Sequence, residues 1–584
     1  MTRFRWIPRF SMHTAAALLL CLALPPAWGA APPDDPGEAV RQAKRAHELE
    51  AQRRAALLQR LQEAGAQPSQ AVDVIHYSIE MRVDPYLQLV SGTVAMRFRP
   101  TSSLDTLRMR LWKRHDVLEA AHNAQPADVK RKKSNIKFRF HPPLDAGSEH
   151  EVSVTYSGYP EISGELGGGM LFAEHGGTPS ATTLSEPFES YTWWPCVDEV
   201  NDKATYTVAL TVPPDMTGAS NGTLLETWVE DDGWNTFLWD TDYPMSNYLF
   251  AVNVTNYETH GDVYTSLDGL TDMPIDHYVY PEHYDVTQLT YDLIPDMIAY
   301  FAERVGEYPF LDEKYGQVEF PWGGAMEHQT LTSMGDFAGS QLGNYEAIIS
   351  HELAHQWFGD EVSPETWNEI WLNEGFATYF EVLWIAHSWG YPVSYVLSSW
   401  FDDHLYNGQL KGSPYRYNEN KPFGDTGAIY DKGAWVLHML RHVMGDDAFF
   451  EAIRDYRESC SYANANTDDL KASCEASYGG DLDWFFEQWV YSKKRPIYKV
   501  SWEQAGQTLS LTVKQKQKHK IKKRNSNKNV YVMPIDVTLY YENGSEETVT
   551  VWNDRRNQTF DIAVPDAVEE VGFDEGSFIL KVLK

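Results

Sequence analysis

The chain has 584 residues, enough for three or four domains of about 100–200 residues each. Aromatic residues make up 13% of it, and Gly and Pro are spread along its length, which suits a folded globular protein better than a disordered or fibrous one. A formal net charge of -34 favours solubility, disfavours binding to nucleic acid or anionic membranes, and helps draw in cationic substrates.

The first element is a targeting segment. Arg3, Arg5 and Arg9 precede an apolar run over residues 15–24, followed by Pro25, Pro26 and a small-residue site at Ala27-Trp28-Gly29. This pattern predicts a signal peptide over residues 1–29, cleaved near Gly29, and so a secreted or periplasmic protein; an uncleaved anchor is the alternative. No later stretch reaches the ~20 apolar residues of a membrane-spanning helix, so no integral membrane segment is expected after processing. Residues 30–70 are charged and Ala-rich with Leu at helical spacing, a helical or disordered lead-in that serves as a solvated spacer or a partner-binding helix.

From residue 71 to about 259 the texture is one of short alternating strands with turn signals, as in His76-Tyr-Ser-Ile-Glu-Met-Arg-Val and Gly92-Thr-Val-Ala-Met-Arg-Phe. An N-terminal β-sandwich domain is predicted there. Over 260–495 amphipathic helical patterns dominate, at 285–305, 344–357, 368–386 and 428–444. Alternation returns over 496–584 and predicts a small C-terminal β-sandwich. The fold class is therefore multidomain α+β. Outside the signal, Cys196, Cys460 and Cys474 lack zinc-site spacing; Cys460 and Cys474 either pair across a short loop or, with Cys196, are small core residues. Lysines and Arg524 cluster over 514–528, either as a solvated hairpin loop or as a site for an anionic surface.

The strongest motif is His351-Glu352-Leu353-Ala354-His355 on an amphipathic helix. Residues four apart on a helix lie on one face about 6 Å from each other, so both imidazoles can reach one zinc ion. Glu352 lies beside that face and is placed as general base toward water whose pKa the ion lowers to about 7. A catalytic zinc usually takes three protein ligands, and Glu374, in a second helical pattern after a connection long enough for the helices to face each other, is the candidate third.

These residues resemble the aminopeptidase N family of zinc metallopeptidases, within the gluzincin group. Residues 351–360 (HELAHQWFGD), Glu374 in WLNEGFA, Gly324-Ala325-Met326-Glu327 upstream and Tyr430-Asp-Lys-Gly-Ala434 downstream fall in the family's order, as does Trp194-Pro195-Cys196-Val197-Asp198-Glu199 with Lys203-Ala204-Thr205. The resemblance implies a thermolysin-like α/β catalytic domain and one zinc ion held by His351, His355 and Glu374. It implies that Glu327, with Glu186 of Ser185-Glu186-Pro187 in support, binds the free amine of a peptide substrate through charge-assisted hydrogen bonds. It further implies that Tyr430 stabilises the oxyanion and that Gly324, Ala325 and Met326 hold the peptide extended.

Two departures accompany it. His328 stands where the family has Asn, and the chain carries about ninety residues of β pattern where many relatives have a large helical domain, so a cleft that is more open, or closed by something else, is expected. The resulting expectation is a zinc-dependent aminopeptidase acting on peptides with a free N-terminus. A zinc endopeptidase, an epoxide hydrolase-like relative and a non-catalytic scaffold are the competing readings.

Overall fold

The computed structural model describes residues 71–164, 166–335, 343–399, 409–518 and 530–584. The expected signal peptide, the lead-in over 30–70 and most of the lysine cluster lie outside the described residues.

β1 (Val72–Asp84) alternates buried and outward residues along its length, as a half-buried strand must. It pairs antiparallel with β2 (Leu89–Pro100), Tyr77 opposite Met96. Together they sit at the middle of an eight-stranded sheet. A four-stranded sheet contains β3 (Thr178–Leu184), and a three-stranded sheet completes this β-rich part. β4 (Ala204–Val212) lies parallel to β1 with Tyr206 opposite Tyr77. Trp193, Trp194, Tyr77, Tyr206 and Phe250 form one buried aromatic cluster, with ring centroids 5.0 Å apart for Tyr77 and Trp194. Each such ring is worth ~2–3 kcal/mol of burial, which explains the aromatic weight of the Trp-Pro-Cys segment.

β5 (Asp272–Val279), which pairs antiparallel with the preceding strand Glu258–Thr265, lies in a second region. It pairs in parallel with β6 (Tyr315–Glu319), inside a five-stranded sheet whose edge is the short hairpin of β7 (Ala325–Met326) and β8 (Thr332–Met334). The helical pattern over 285–305 is not one helix: it splits into Tyr284–Tyr291 and α1 (Ile294–Val305), because Pro295 suits a helix's first turn and cannot continue one. Two helices carry the metal motif, α2 (Gly343–His355) and α3 (Trp371–Trp389). The pattern over 428–444 resolves into a short helix at Thr426–Ile429 and α4 (Asp431–Met444), with Tyr430 at the joint. Cys196, Cys460 and Cys474 are free thiols, Cys196 and Cys474 fully buried, so the disulfide reading does not hold.

The last region is all β. β9 (Ile497–Ala505) and β10 (Thr508–Gln515) turn back on each other at Gly506, and together with β11 (Met533–Tyr541) they belong to two sheets of four and three strands. Phe578 from this region stacks on His442 of α4, centroids 4.4 Å apart, tying the C-terminal sheets to the helix that begins beside Tyr430. The architecture is that of a multidomain protein with β-rich ends around a mixed sheet-and-helix centre. Among the described residues no helix is long and apolar enough to cross a membrane.

Candidate active site

α2 places His351 and His355 one turn apart, and α3 packs across it to bring in Glu374. His351 Nε2 lies 3.2 Å from His355 Nε2, and each lies 3.5 Å from Glu374 Oε2. The opposite ring nitrogens are engaged. His355 Nδ1–H donates to the Phe358 carbonyl at 3.0 Å, and His351 Nδ1–H donates to Glu381 Oε2 at 3.0 Å. A carbonyl can only accept, so His355 turns a lone pair at Nε2 toward the corresponding atom of His351. Two facing lone pairs and a carboxylate oxygen need a shared positive charge between them.

Zinc fits that need. A tetrahedral ion bound at about 2.0–2.1 Å holds two ligand nitrogens roughly 3.3 Å apart. Glu374 Oε2 is buried without a hydrogen-bond partner of its own, as a waiting ligand atom would be. Electrostatics agree. Burial alone would lower both imidazoles, but Glu374 and Glu381 hold His351 well above its ordinary range, and Glu327 and Glu374 raise His355. Burial would raise Glu374, yet the two histidines hold it down at about 2. The trio competes for cationic charge, whether proton or metal.

Around it stand four more groups. Glu352 Oε2 is buried and unpartnered, and burial pushes its carboxyl up to about 8, with Glu327 and Glu374 adding to the rise against His351 and His355. Glu327 and Glu186 are each 3% exposed and each has an unpartnered buried oxygen. The Tyr430 ring lies parallel to His351, centroids 5.8 Å apart. All ten residues singled out from the sequence, namely His351, Glu352, His355, Glu374, Glu327, Glu186, Tyr430, Gly324, Ala325 and Met326, line one cavity of about 350 Å³. Ala325 and Met326 form the edge strand β7, an edge that can accept an extended chain.

Local sequence explains this convergence. A Cβ on Gly375 would sit 2.9 Å from the Gly433 Cα, and one on Gly433 would sit 2.7 Å from the Gly375 Cα. Only glycine at both positions lets α3 and α4 cross closely enough for Tyr430 to stand beside Glu374. The β-rich N-terminal part fixes the other side. Tyr248 donates to the Gly359 carbonyl at 3.2 Å and accepts from Asn373 Nδ2 at 3.2 Å, while Lys203 Nζ donates to the Asp360 and Glu361 carbonyls at 2.6 and 2.9 Å. Asn221 Nδ2 donates to the Gln329 carbonyl at 2.6 Å, and Gly222 N donates to Thr330 Oγ1 at 2.8 Å.

Three residues were missed in the sequence. Glu381 follows Glu374 by seven residues, two helical turns along the same face, and that spacing was its available signal. Gln356 lies within the 351–360 motif, which assigns it no role, and Thr330 had no signal. Thr330 has φ 62 in a turn closed by Leu331 N donating to the His328 carbonyl at 3.0 Å, a conformation costly for a β-branched residue. It is held there because Thr330 N donates to Gln356 Oε1 at 2.8 Å. His328 is buried, its Nδ1 2.8 Å from Ser333 Oγ, and it does not line the cavity.

The chain matches two family models: the Peptidase M1 N-terminal domain over residues 74–249 and the Peptidase family M1 domain over residues 297–489. It is 26% identical over 420 residues to a glutamyl aminopeptidase of Sus scrofa, covering 67% of this chain and 43% of the relative. It is 27% identical over 404 residues to the mitochondrial aminopeptidase 2 of Saccharomyces cerevisiae, covering 66% and 41%. The chain thus spans about half the length of the curated relatives it matches. Among solved structures it resembles a two-domain M1 zinc metallopeptidase variant bound to L-tryptophan, with TM-score 0.66, 26% identity, and coverage of 74% of this chain and 96% of that one. The M1 zinc metallopeptidase from Deinococcus radiodurans gives TM-score 0.64 at 26% identity, covering 74% and 95%.

Proposed function

The chain belongs to the peptidase M1 family, and from that premise we propose that it is a zinc-dependent aminopeptidase removing residues from peptides with a free N-terminus. The observation that carries this reading is the pair Glu327 and Glu186. Both are buried, both keep an oxygen unpartnered, and both line the cavity of the His-His-Glu trio. Buried carboxylates without partners are costly unless a cation arrives, and the α-ammonium of a peptide is such a cation.

One zinc ion would be held by His351 Nε2, His355 Nε2 and Glu374. When bound it supplies Lewis acidity, polarising the scissile carbonyl and lowering the pKa of water to about 7. Glu352 takes the proton of the attacking water and returns it to the departing amine, a task suited to a carboxyl pushed toward neutrality by burial. The Tyr430 hydroxyl donates to the oxygen on which negative charge develops. Glu327 and Glu186 accept from the ammonium and so set which bond lies over the trio. β7 aligns the chain beyond it.

The leader pattern of residues 1–29 supports export to the periplasm or the exterior. The changes in sequence texture support domain divisions after residues 259 and 495. The deciding experiment is a panel of free and N-acetylated aminoacyl and peptide substrates, assayed with and without a chelator. Free substrates should be cut and blocked ones spared, with the chelator abolishing turnover. Equal rates on blocked substrates would reject the aminopeptidase reading in favour of endopeptidase or other hydrolytic chemistry.

A further inference from the structure

The turn that follows Glu327 rests on a buried cation outside the cavity lining. Lys314 immediately precedes β6 and is 2% exposed. Its Nζ lies 3.2 Å from the Ser220 carbonyl, 3.4 Å from the Thr330 carbonyl and 3.5 Å from Thr330 Oγ1, so its three N–H groups have three oxygens to face. The same ammonium stands over the ring of Trp239, 5.1 Å from its centroid. Ser220 and Trp239 belong to the β-rich N-terminal part, and Thr330 to the turn beyond Glu327. One side chain therefore ties the two across their junction. Burial draws its pKa down to about 8, with Asp276 and Glu313 opposing the fall, so at neutral pH it keeps its charge.

What this ammonium holds is a backbone conformation that is unfavourable on its own. Thr330 has φ 62, a region costly for a β-branched residue. Released, Thr330 would return to negative φ, and the segment carrying Glu327 would swing relative to β8, because a change in φ turns the chain on either side of it. The N-terminal part grips the same turn. Gly222 N donates to Thr330 Oγ1 at 2.8 Å, and Asn221 Nδ2 donates to the Gln329 carbonyl at 2.6 Å. Lys314 fills the space between these contacts and supplies the only charge among them.

We propose that Lys314 is a positioning residue for binding of the substrate amine: it pins the strained Thr330 turn to the N-terminal part and so keeps the Glu327 carboxylate where it meets the ammonium. Lys314 itself acts through the turn and lines no part of the cavity. The inference rests on the aminopeptidase reading above, and on the role of Glu327 within it.

The test measures binding to the zinc-loaded full chain, without turnover. Calorimetry gives dissociation constants for L-leucine hydroxamate and for isocaproyl hydroxamate, the same molecule without its amine, and metal analysis gives zinc content. The ratio of the two constants reads the amine contact alone. Wild type should favour the amine-bearing ligand; no preference in wild type would overturn the aminopeptidase reading and this inference with it. In Lys314→Met the preference should fall roughly 10-fold or more, with isocaproyl hydroxamate affinity and zinc content unchanged. Adding Thr330→Gly to that variant should restore most of the preference, because glycine adopts positive φ without strain. Equal weakening of both ligands, an unchanged preference, or one that glycine does not restore would overturn the proposal and leave the aminopeptidase reading in place. Should Lys314→Met fail to fold, Thr330→Val carries the test, since it keeps the side chain's shape and removes only the oxygen that Lys314 and Gly222 share. It should lower the same preference, and an unchanged preference there would overturn the proposal.

Discussion

Gln356 Nε2 donates to the main-chain carbonyl of Glu327 at 3.3 Å, linking the residue next to a metal ligand to the residue placed to bind the substrate amine. The same side chain accepts from Thr330 N at 2.8 Å and Tyr308 OH at 3.1 Å, so one amide fixes the backbone at Glu327, just past β7, and the unfavourable turn behind it. Substitution Gln356→Leu leaves the buried Glu327 carbonyl and Thr330 N–H unpaired, each costing ~1–3 kcal/mol, while the Tyr308 hydroxyl keeps the Lys314 carbonyl at 3.2 Å. It should lower kcat/KM on a leucyl anilide by roughly 10–100-fold with KM raised, while zinc stays bound. Steady-state kinetics with metal analysis checks this; a variant that loses its metal instead would show that Gln356 serves the ligands rather than Glu327.

The crossing of α3 and α4 at Gly375 and Gly433 is equally direct to probe. Gly433→Ala inserts a methyl group where only 2.7 Å separates it from the opposing backbone. Overpacking of this kind costs ~1–3 kcal/mol, and here it also moves Tyr430 from Glu374. A lowered unfolding temperature together with kcat at least 10-fold down is expected from calorimetry and kinetics.

Tyr430→Phe removes one hydroxyl and keeps the ring that lies against His351. If that hydroxyl meets developing charge, kcat should fall ~10²–10³-fold with KM within about twofold. A rise in KM at constant kcat would assign the tyrosine to ground-state binding.

Lys432 gives a pH signature. It is fully buried, with Nζ donating to the Gly412 and Ser492 carbonyls at 2.9 and 2.8 Å, and burial holds its pKa down at about 7 against 10.5 for a free lysine. Below pH 7 folded and unfolded chains both carry the proton, and folding carries the cost of a buried charge. Between about 7 and 10.5 only the unfolded chain holds it, so the contribution of Lys432 to stability rises with pH through that window. The unfolding temperature of wild type minus that of Lys432→Met should therefore increase by a few degrees from pH 6.5 to 9.5. An unchanged difference would mean the lysine stays charged in the fold.

How much of this was legible in the sequence follows from the range of each interaction. His351, Glu352, His355 and Glu374 were readable because helical periodicity alone puts them on facing surfaces. Tyr430 and Glu186 carry no periodic signal and were reached only through the family resemblance. Glu381 lies within reach of the same helical arithmetic as Glu374, on the same helix. The role of Gln356 was out of reach although the residue lies in the 351–360 motif, since its partners Glu327 and Thr330 lie 29 and 26 residues away on a turn whose φ no pattern reveals. The break before α1 was announced by Pro295 but masked by continuous amphipathicity on both sides.

The most direct test of the central claim compares Glu352→Gln with wild type for zinc content and turnover of a free leucyl anilide. One zinc per chain is expected in both proteins, with kcat reduced by at least ~10³-fold in the variant, because the ligands are intact and the proton acceptor is gone. Undiminished turnover in Glu352→Gln, or purified wild-type protein that is active without zinc, would contradict that claim.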